Sequence, residues 1–244
     1  MGIEKHDIHC HLTSKEYLNP EKIIKDCKKQ NISIILNGLD FNDNEACINL
    51  SKKFSNAYAA MGMHPLSKFD ERVISQIRQN KDSIIAIGEA GMDFKFTTQK
   101  EQLINLKKLI NLAQEINKPM ILHSRSAEKE LIEGIKSAKI PIILHCFTGK
   151  KSLIKEALKN DKIFFSVPAS IEYNNQFFEL AKEVPINRLF CETDSPYLWN
   201  KGLNSPLNIK KAYKGIAKAK SIKINECEAI IQKNFEAVFK NHRI

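Results

Sequence analysis

The sequence predicts an α/β protein, a TIM-like (β/α)8 barrel formed by a single domain over residues 1–244. Three observations predict it. Short apolar, β-branched runs recur eight times, amphipathic helical stretches separate them, and nearly every run ends in a histidine, a carboxylate or an arginine. Strand–helix alternation at this spacing marks parallel βαβ units, and 244 residues is a length such barrels take. An open, doubly wound sheet is the competing arrangement. No run is followed by the glycine-rich turn such sheets use for dinucleotides.

Taken in order, the first run is HDIHCHL (6–12), and Asn19-Pro20-Glu21 then starts a helix over 20–30. SIILNGL (33–39) leads to a helix over 42–54, and AYAAMGMHP (57–65) to one over 70–80. SIIAIGEAGMD (83–93) precedes a long helix over 98–117, which Lys118-Pro119 stops before PMILHSR (119–125). A helix over 126–138, PIILHCF (141–147), a helix over 150–160 and KIFFSVPAS (162–170) follow. The last unit is a helix over 175–183, RLFCETDSP (188–196) and a helix over 206–219, with a final helix over 225–240. No linker, repeat or low-complexity segment interrupts the series.

Composition narrows the class. No apolar run approaches membrane-spanning length. Glu4, Lys5 and Asp7 stand where a secretory signal would need an apolar core, so a cytoplasmic location is expected. Six cysteines without a CxxC pair suggest reduced thiols. The net charge of +10 permits a polyanionic partner such as DNA. The lysines look scattered over helical segments, with no arginine-rich tract, so charge alone does not identify one.

The polar strand ends carry the functional reading. On an extended strand His9 and His11 share a face, about 7 Å apart at Cβ. His64, Glu89, Asp93, His123, Arg125, His145, Glu192 and Asp194 likewise close their runs. In a parallel barrel those ends meet at one mouth. Imidazoles and carboxylates gathered in an apolar barrel are costly without compensation, and a divalent cation supplies it. Six ligands exceed the needs of one four- or five-coordinate ion, so two ions bridged by a carboxylate are expected. His9, His11 and Asp194 are assigned to one and His123 and His145 to the other. Glu89, from the middle of the strand order and beside Gly88 and Gly91, is the bridge. Cys10, Cys146 and Cys191 neighbour ligands and should face outward. Zn, Mn, Co and Fe suit such donors, with Mg expected to bind more weakly.

Each residue has a plainer alternative. A lone histidine at a strand end is more often a hydrogen-bonded core residue. Asp93 could cap a turn, Arg125 could pair with a helix carboxylate or hold a phosphate, and His64-Pro65 could be a rigid turn. Glu192 sits deeper than Asp194 and suits hydrogen bonding behind the ligands. Tyr197 and Trp199 could stack on a base or merely cover the mouth.

The stretches DIHCHL, GMHP, IGEAGMD, ILHSR, LHCFTG and ETDSPYL, in order from about residue 6 to 198, resemble the TatD-type metal-dependent deoxyribonucleases of the amidohydrolase-like barrels. The resemblance implies divalent metals on His9, His11, Glu89, His123, His145 and Asp194, and hydrolysis of DNA phosphodiesters, typically as an exonuclease. Two stretches depart from the family. Its Arg-Asn-Glu-Pro segment is represented over 203–206 only by Asn204 and Pro206, with Ser205 at the glutamate position, and Phe94-Lys95 replace aromatics after Asp93.

The expected reaction is attack of a metal-activated water on phosphorus, with Asp194 and Glu89 as the catalytic carboxylates and His64, Asp93 and Arg125 on the substrate. Single-stranded DNA or DNA ends are the expected substrate, with no membrane and no obligate protein partner. A small amide, ester or phosphoester hydrolase on the same scaffold is the alternative. The carboxylated lysine that often bridges such sites has no counterpart near Glu89. A non-catalytic nucleic-acid-binding barrel is a third reading.

Overall fold

A computed structural model describes residues 3–95 and 99–239. Eight strands run β1 Lys5–Cys10, β2 Ile32–Asn37, β3 Ala57–Met61, β4 Ala86–Asp93, β5 Met120–Arg125, β6 Ile142–Leu144, β7 Ile163–Pro168 and β8 Leu189–Glu192. Between and after them lie α1 Pro20–Lys29, α2 Phe41–Lys53, α3 Glu71–Gln79, α4 Gln99–Glu115, α5 Glu128–Ile135, α6 Lys151–Ala157, α7 Asn175–Glu183, α8 Ile209–Lys220 and α9 Ile224–Phe239. All neighbouring strands pair in parallel, in chain order from β1 to β8. The seam between β8 and β1 is drawn together just beyond β8. There Asp194 N–H donates to His9 O at 2.9 Å and His11 N–H to Ser195 O at 2.8 Å. The expected barrel is therefore present. Residues 98 and 240, at the ends of two expected helices, lie outside the described residues.

Local chemistry sets the helix starts. Asn19, Asp40, Asp70 and Asn174 each accept a backbone N–H of the first turn, and Pro20 occupies a position where no donor is needed. The helices pack on the outer strand faces, where Cys10, Leu36, Ile87, Leu122, Leu144 and Cys191 are buried. A second apolar cluster fills the barrel itself: Ile8, Ile35, Ala60, Ile121, Ile143 and Phe190, closed by Phe235, Val238 and Phe239 of α9. Helix α9 lies against the strand starts. The Phe235 ring stacks on His6 at 3.7 Å, and Asn234 Nδ2 donates to Ile186 O and Leu189 O. The bottom of the barrel is thus plugged, and the carboxyl ends of the strands open to the mouth cavity.

Two strands break the simple alternation of faces. On β1 the register moves from Asp7↔Ile34 to Cys10↔Leu36, and on β4 from Ile87↔Met120 to Ala90↔Leu122. Each carries one residue more than its partner, a bulge that re-aims the side chains beside it. As a result Ile8 and His9, consecutive in sequence, both face the interior, and Glu89 sits in the irregular stretch of β4. Close approach is possible here because two residues lack a side chain. A Cβ on Gly91, at φ 139°, would lie 2.1 Å from His123 O, and one on Gly62 2.2 Å from Glu89 O.

Candidate metal centre

Six side chains from five strands or their ends meet around Glu89, which is 3% exposed. Its two oxygens face different groups. Oε2 lies 3.3 Å from His9 Nε2 and 3.4 Å from His11 Nε2, and those same nitrogens lie 3.7 and 3.6 Å from Asp194 Oδ1. Oε1 lies 2.9 Å from His123 Nδ1, 3.1 Å from His145 Nε2 and 3.6 Å from His64 Nε2. The carboxylate stands between two nests of imidazoles. Every ion-pair partner of Glu89 and Asp194 among the described residues is a histidine.

The far nitrogens of His11 and His123 are hydrogen-bonded, which fixes what their near ones offer. His11 Nδ1 donates to Asn37 O at 2.9 Å, so its Nε2 carries the lone pair. His123 Nε2 donates to Asp93 Oδ2 at 3.1 Å, so its Nδ1 is bare. His145 Nδ1 lies 3.6 Å from Glu192 Oε2, an ion-pair distance, while Glu192 accepts from Ser166 Oγ and Cys146 N–H. His9 Nδ1 is buried with no hydrogen-bond partner among the described residues. Bare nitrogens aimed at carboxylates and at each other, 3.0 Å between His9 and His11 and 3.2 Å between His123 and His145, repel unless a cation or protons lie between. The donor set therefore fits divalent metal, with Asn37 O behind His11 and Asp93 behind His123 fixing their tautomers and Glu192 facing His145. Geometry alone groups His9, His11 and Asp194, and separately Glu89 with His9 and His145 or with His64 and His123.

The protonation pattern of the metal-free chain follows. Burial lowers His9. For His11 burial acts the same way, but hydrogen bonds donated to Asp194 and Glu89 outweigh it and raise it to about 10. His145 is also raised, the charges of Glu89 and Glu192 overcoming burial. Glu89 and Asp194 are held below the usual carboxylate range, their histidine partners prevailing over burial.

Of the residues expected on the substrate, His64 and Arg125 line a mouth cavity of about 520 Å³, together with Tyr197, Leu198 and Phe177. Burial pushes His64 down to about 4, and its Nδ1 accepts Leu66 N–H at 3.2 Å, so Nε2 bears the proton. Asp93 is fully buried instead. Its Oδ2 takes Arg125 Nη2 at 2.6 Å and Nε at 2.8 Å beside His123 Nε2, so it acts on the other side chains. Cys10 and Cys191 pack outward as expected, but Cys146 lines the mouth. With φ of 45° it lies just past the end of β6, where strand alternation no longer applies.

Two supporting groups escape sequence reasoning. Asn37 holds His11 through a carbonyl, which no side-chain pattern shows. Asp7, fully buried, accepts Thr193 N–H and Oγ1 and His9 N–H and ties β1 to the segment carrying Asp194; burial, outweighing those bonds, raises it to about 8. Its signal was present, a carboxylate two residues before His9 in the same run.

Barrel and site together define a metal-dependent hydrolase. Residues 6–240 match the family described as TatD related DNase, and the chain belongs to that family. It is 34% identical to an uncharacterized metal-dependent hydrolase of Methanocaldococcus jannaschii over 96% of each chain. It is 29% identical to the human deoxyribonuclease TATDN3, over 99% of this chain and 97% of that one. In fold it is similar to the crystal structure of YjjV, a TatD homolog from Escherichia coli, with a TM-score of 0.88 at 21% identity over 97% and 98% of the chains. Among the described residues no helix is long and apolar enough to cross a membrane.

Proposed function

We propose that the chain hydrolyses phosphodiester bonds in DNA, acting as an exonuclease on single strands or ends, with two divalent ions of the Zn, Mn, Mg, Co or Fe group. The observation that carries this reading is the division of Glu89. One oxygen addresses His9 and His11, with Asp194 beside them, and the other addresses His123 and His145. A carboxylate so placed can bridge two ions. When bound, the ions would supply Lewis acidity and lower the pKa of a water toward neutrality.

The chain's own residues divide the remaining work. Asp194, at the edge of the mouth, orients the attacking water and takes its proton. His64, neutral with its proton on Nε2, donates to a non-bridging phosphoryl oxygen or to the leaving oxygen. Arg125, steadied by Asp93 at the mouth, neutralises a phosphate. Asp93 and Glu192 orient His123 and His145. DNA as substrate is supported by the family and by the surplus of positive charge. A cytoplasmic setting is supported by six cysteines that are all free.

The test is hydrolysis of end-labelled single-stranded DNA by protein loaded with Mg, Mn or Zn, compared with dipeptides and simple esters. Stepwise, chelator-sensitive release of mononucleotides is expected. Cleavage of esters or dipeptides in preference to DNA, or internal cuts only, would overturn the reading.

A further inference from the structure

The positive surplus is not spread evenly. From Ser195 to Asn225 the chain has seven lysines and no acidic residue. The other 213 residues carry 31 basic and 28 acidic side chains, so this stretch holds most of the net charge. It begins directly after Asp194, runs over the mouth and continues along α8.

Tertiary contacts join it into one path. Tyr197 N–H donates to Asp194 O at 2.8 Å, and the Tyr197 ring lies 6.2 Å from that of His11. Leu198, which lines the mouth, accepts Tyr173 Oη at 2.7 Å. The Tyr173 ring lies 5.8 Å from Trp199, over which Lys201 Nζ sits at 5.9 Å. Tyr173 also lines a groove of about 390 Å³ with Ile171, Phe178, Lys211, Lys214 and Lys218. The one acid there, Glu172, is engaged by Lys211 at 2.7 Å and lies within the fields of Lys201 and Lys214, which places the mouth loop and α8 side by side. Tyr173 and Tyr197 are 44% and 49% exposed, so both rings offer a face to a ligand.

The geometry points to a binding track for a single nucleic-acid strand: bases stack on Tyr197, Trp199 and Tyr173 as the strand leaves the mouth, and Lys201, Lys214 and Lys218 neutralise the phosphates beyond. Alternating ring faces and cations suit a sequence-independent strand, since every base offers a π-face and every residue a phosphate. The inference rests on the phosphodiesterase reading and sharpens it, because a site for a mononucleotide ester or dipeptide needs no such path.

The test is fluorescence anisotropy of a labelled 20-nucleotide oligothymidylate with the full chain in chelator, so that binding is read without hydrolysis. Lys201→Glu with Lys214→Glu and Lys218→Glu should weaken binding by tenfold or more. It should also flatten the plot of log affinity against log salt by about 2, the share of three phosphates on a single strand. Tyr173→Ala with Trp199→Ala should cost about tenfold. The same number of reversals at Lys81, Lys107 and Lys139, exposed and remote from α8, should change binding less than twofold. In turnover, the ratio of kcat/KM on the 20-mer to that on a dinucleotide should fall in the first variant. Equal losses in both lysine variants, or none in either, would overturn the track. If the wild type cleaves no phosphodiester, the functional reading fails while the binding comparison still decides the track.

Discussion

His6 and His9 stand three residues apart on one strand, both buried, and meet opposite ends of the barrel. His6 faces the floor, where Nδ1 meets Ser33 Oγ, Nε2 meets Gln232 Oε1 at 2.6 Å and the ring stacks on Phe235. Both of its nitrogens have protein partners. His9 faces the mouth, its Nδ1 has no hydrogen-bond partner among the described residues, and its Nε2 points at another imidazole and at two carboxylates. A histidine that its own protein satisfies is part of a core. One that its protein leaves unsatisfied, among others in the same condition, has the donor set a cation would use.

The largest effect that could break this contrast is at Glu89. Glu89→Gln keeps the shape and halves the oxygen donors, so it should cut DNA hydrolysis by about a thousandfold or more. Elemental analysis of the purified variant should show metal content reduced by half or more. Full metal and full turnover would remove Glu89 from its bridging place.

Behind the ligands the effects should be smaller. Glu192→Gln removes the charge facing His145 Nδ1 while leaving a group that can serve Ser166 and Cys146 N–H. Metal affinity, read by competition with a chromogenic chelator, should fall about ten- to a hundredfold.

The pH dependence sharpens the same difference. In chelated protein His11 at about 10, His145 raised and Asp7 at about 8 all hold protons in the folded state that the unfolded chain releases. Between pH 6.5 and 8 the native state thus binds more protons than the unfolded one, and stability falls as pH rises. Metal competes with the protons on His11 and His145, so affinity should rise over the same window, by about tenfold per unit for each proton displaced. Urea titrations of chelated protein and metal titrations at pH 6.5 and 8 should therefore move in opposite directions.

The smallest effect on function should come from the floor. His6→Ala should lower stability by about 1–3 kcal/mol through the lost stack and hydrogen bonds, measured by urea denaturation. Metal content and turnover per folded molecule should stay unchanged. A loss of metal there would mean that floor and mouth are coupled.

The sequence by itself determined the strand–helix alternation, the barrel, and which strand ends bring imidazoles and carboxylates to one mouth, because periodicity and a shared strand polarity are local properties of the chain. Position in the run already set His9, near its carboxyl end, apart from His6 at its start; the partners that satisfy one ring and leave the other bare, Gln232, Phe235, Glu89 and Asp194, lie eighty or more residues away and came only with the fold. The tertiary structure alone decided the bulges that turn Ile8 and His9 to the same side, the pairing of Asp93 with His123 and Arg125, and the placement of Cys146 at the mouth; that Glu89 would stand between two groups of ligands was already an expectation of the sequence. The fold also decided that the acid-free, lysine-rich stretch after Asp194 comes to lie beside Tyr173 and Trp199. The physical reason is the same throughout: hydrogen-bond direction, burial and the field at a charged group depend on partners that only folding brings near.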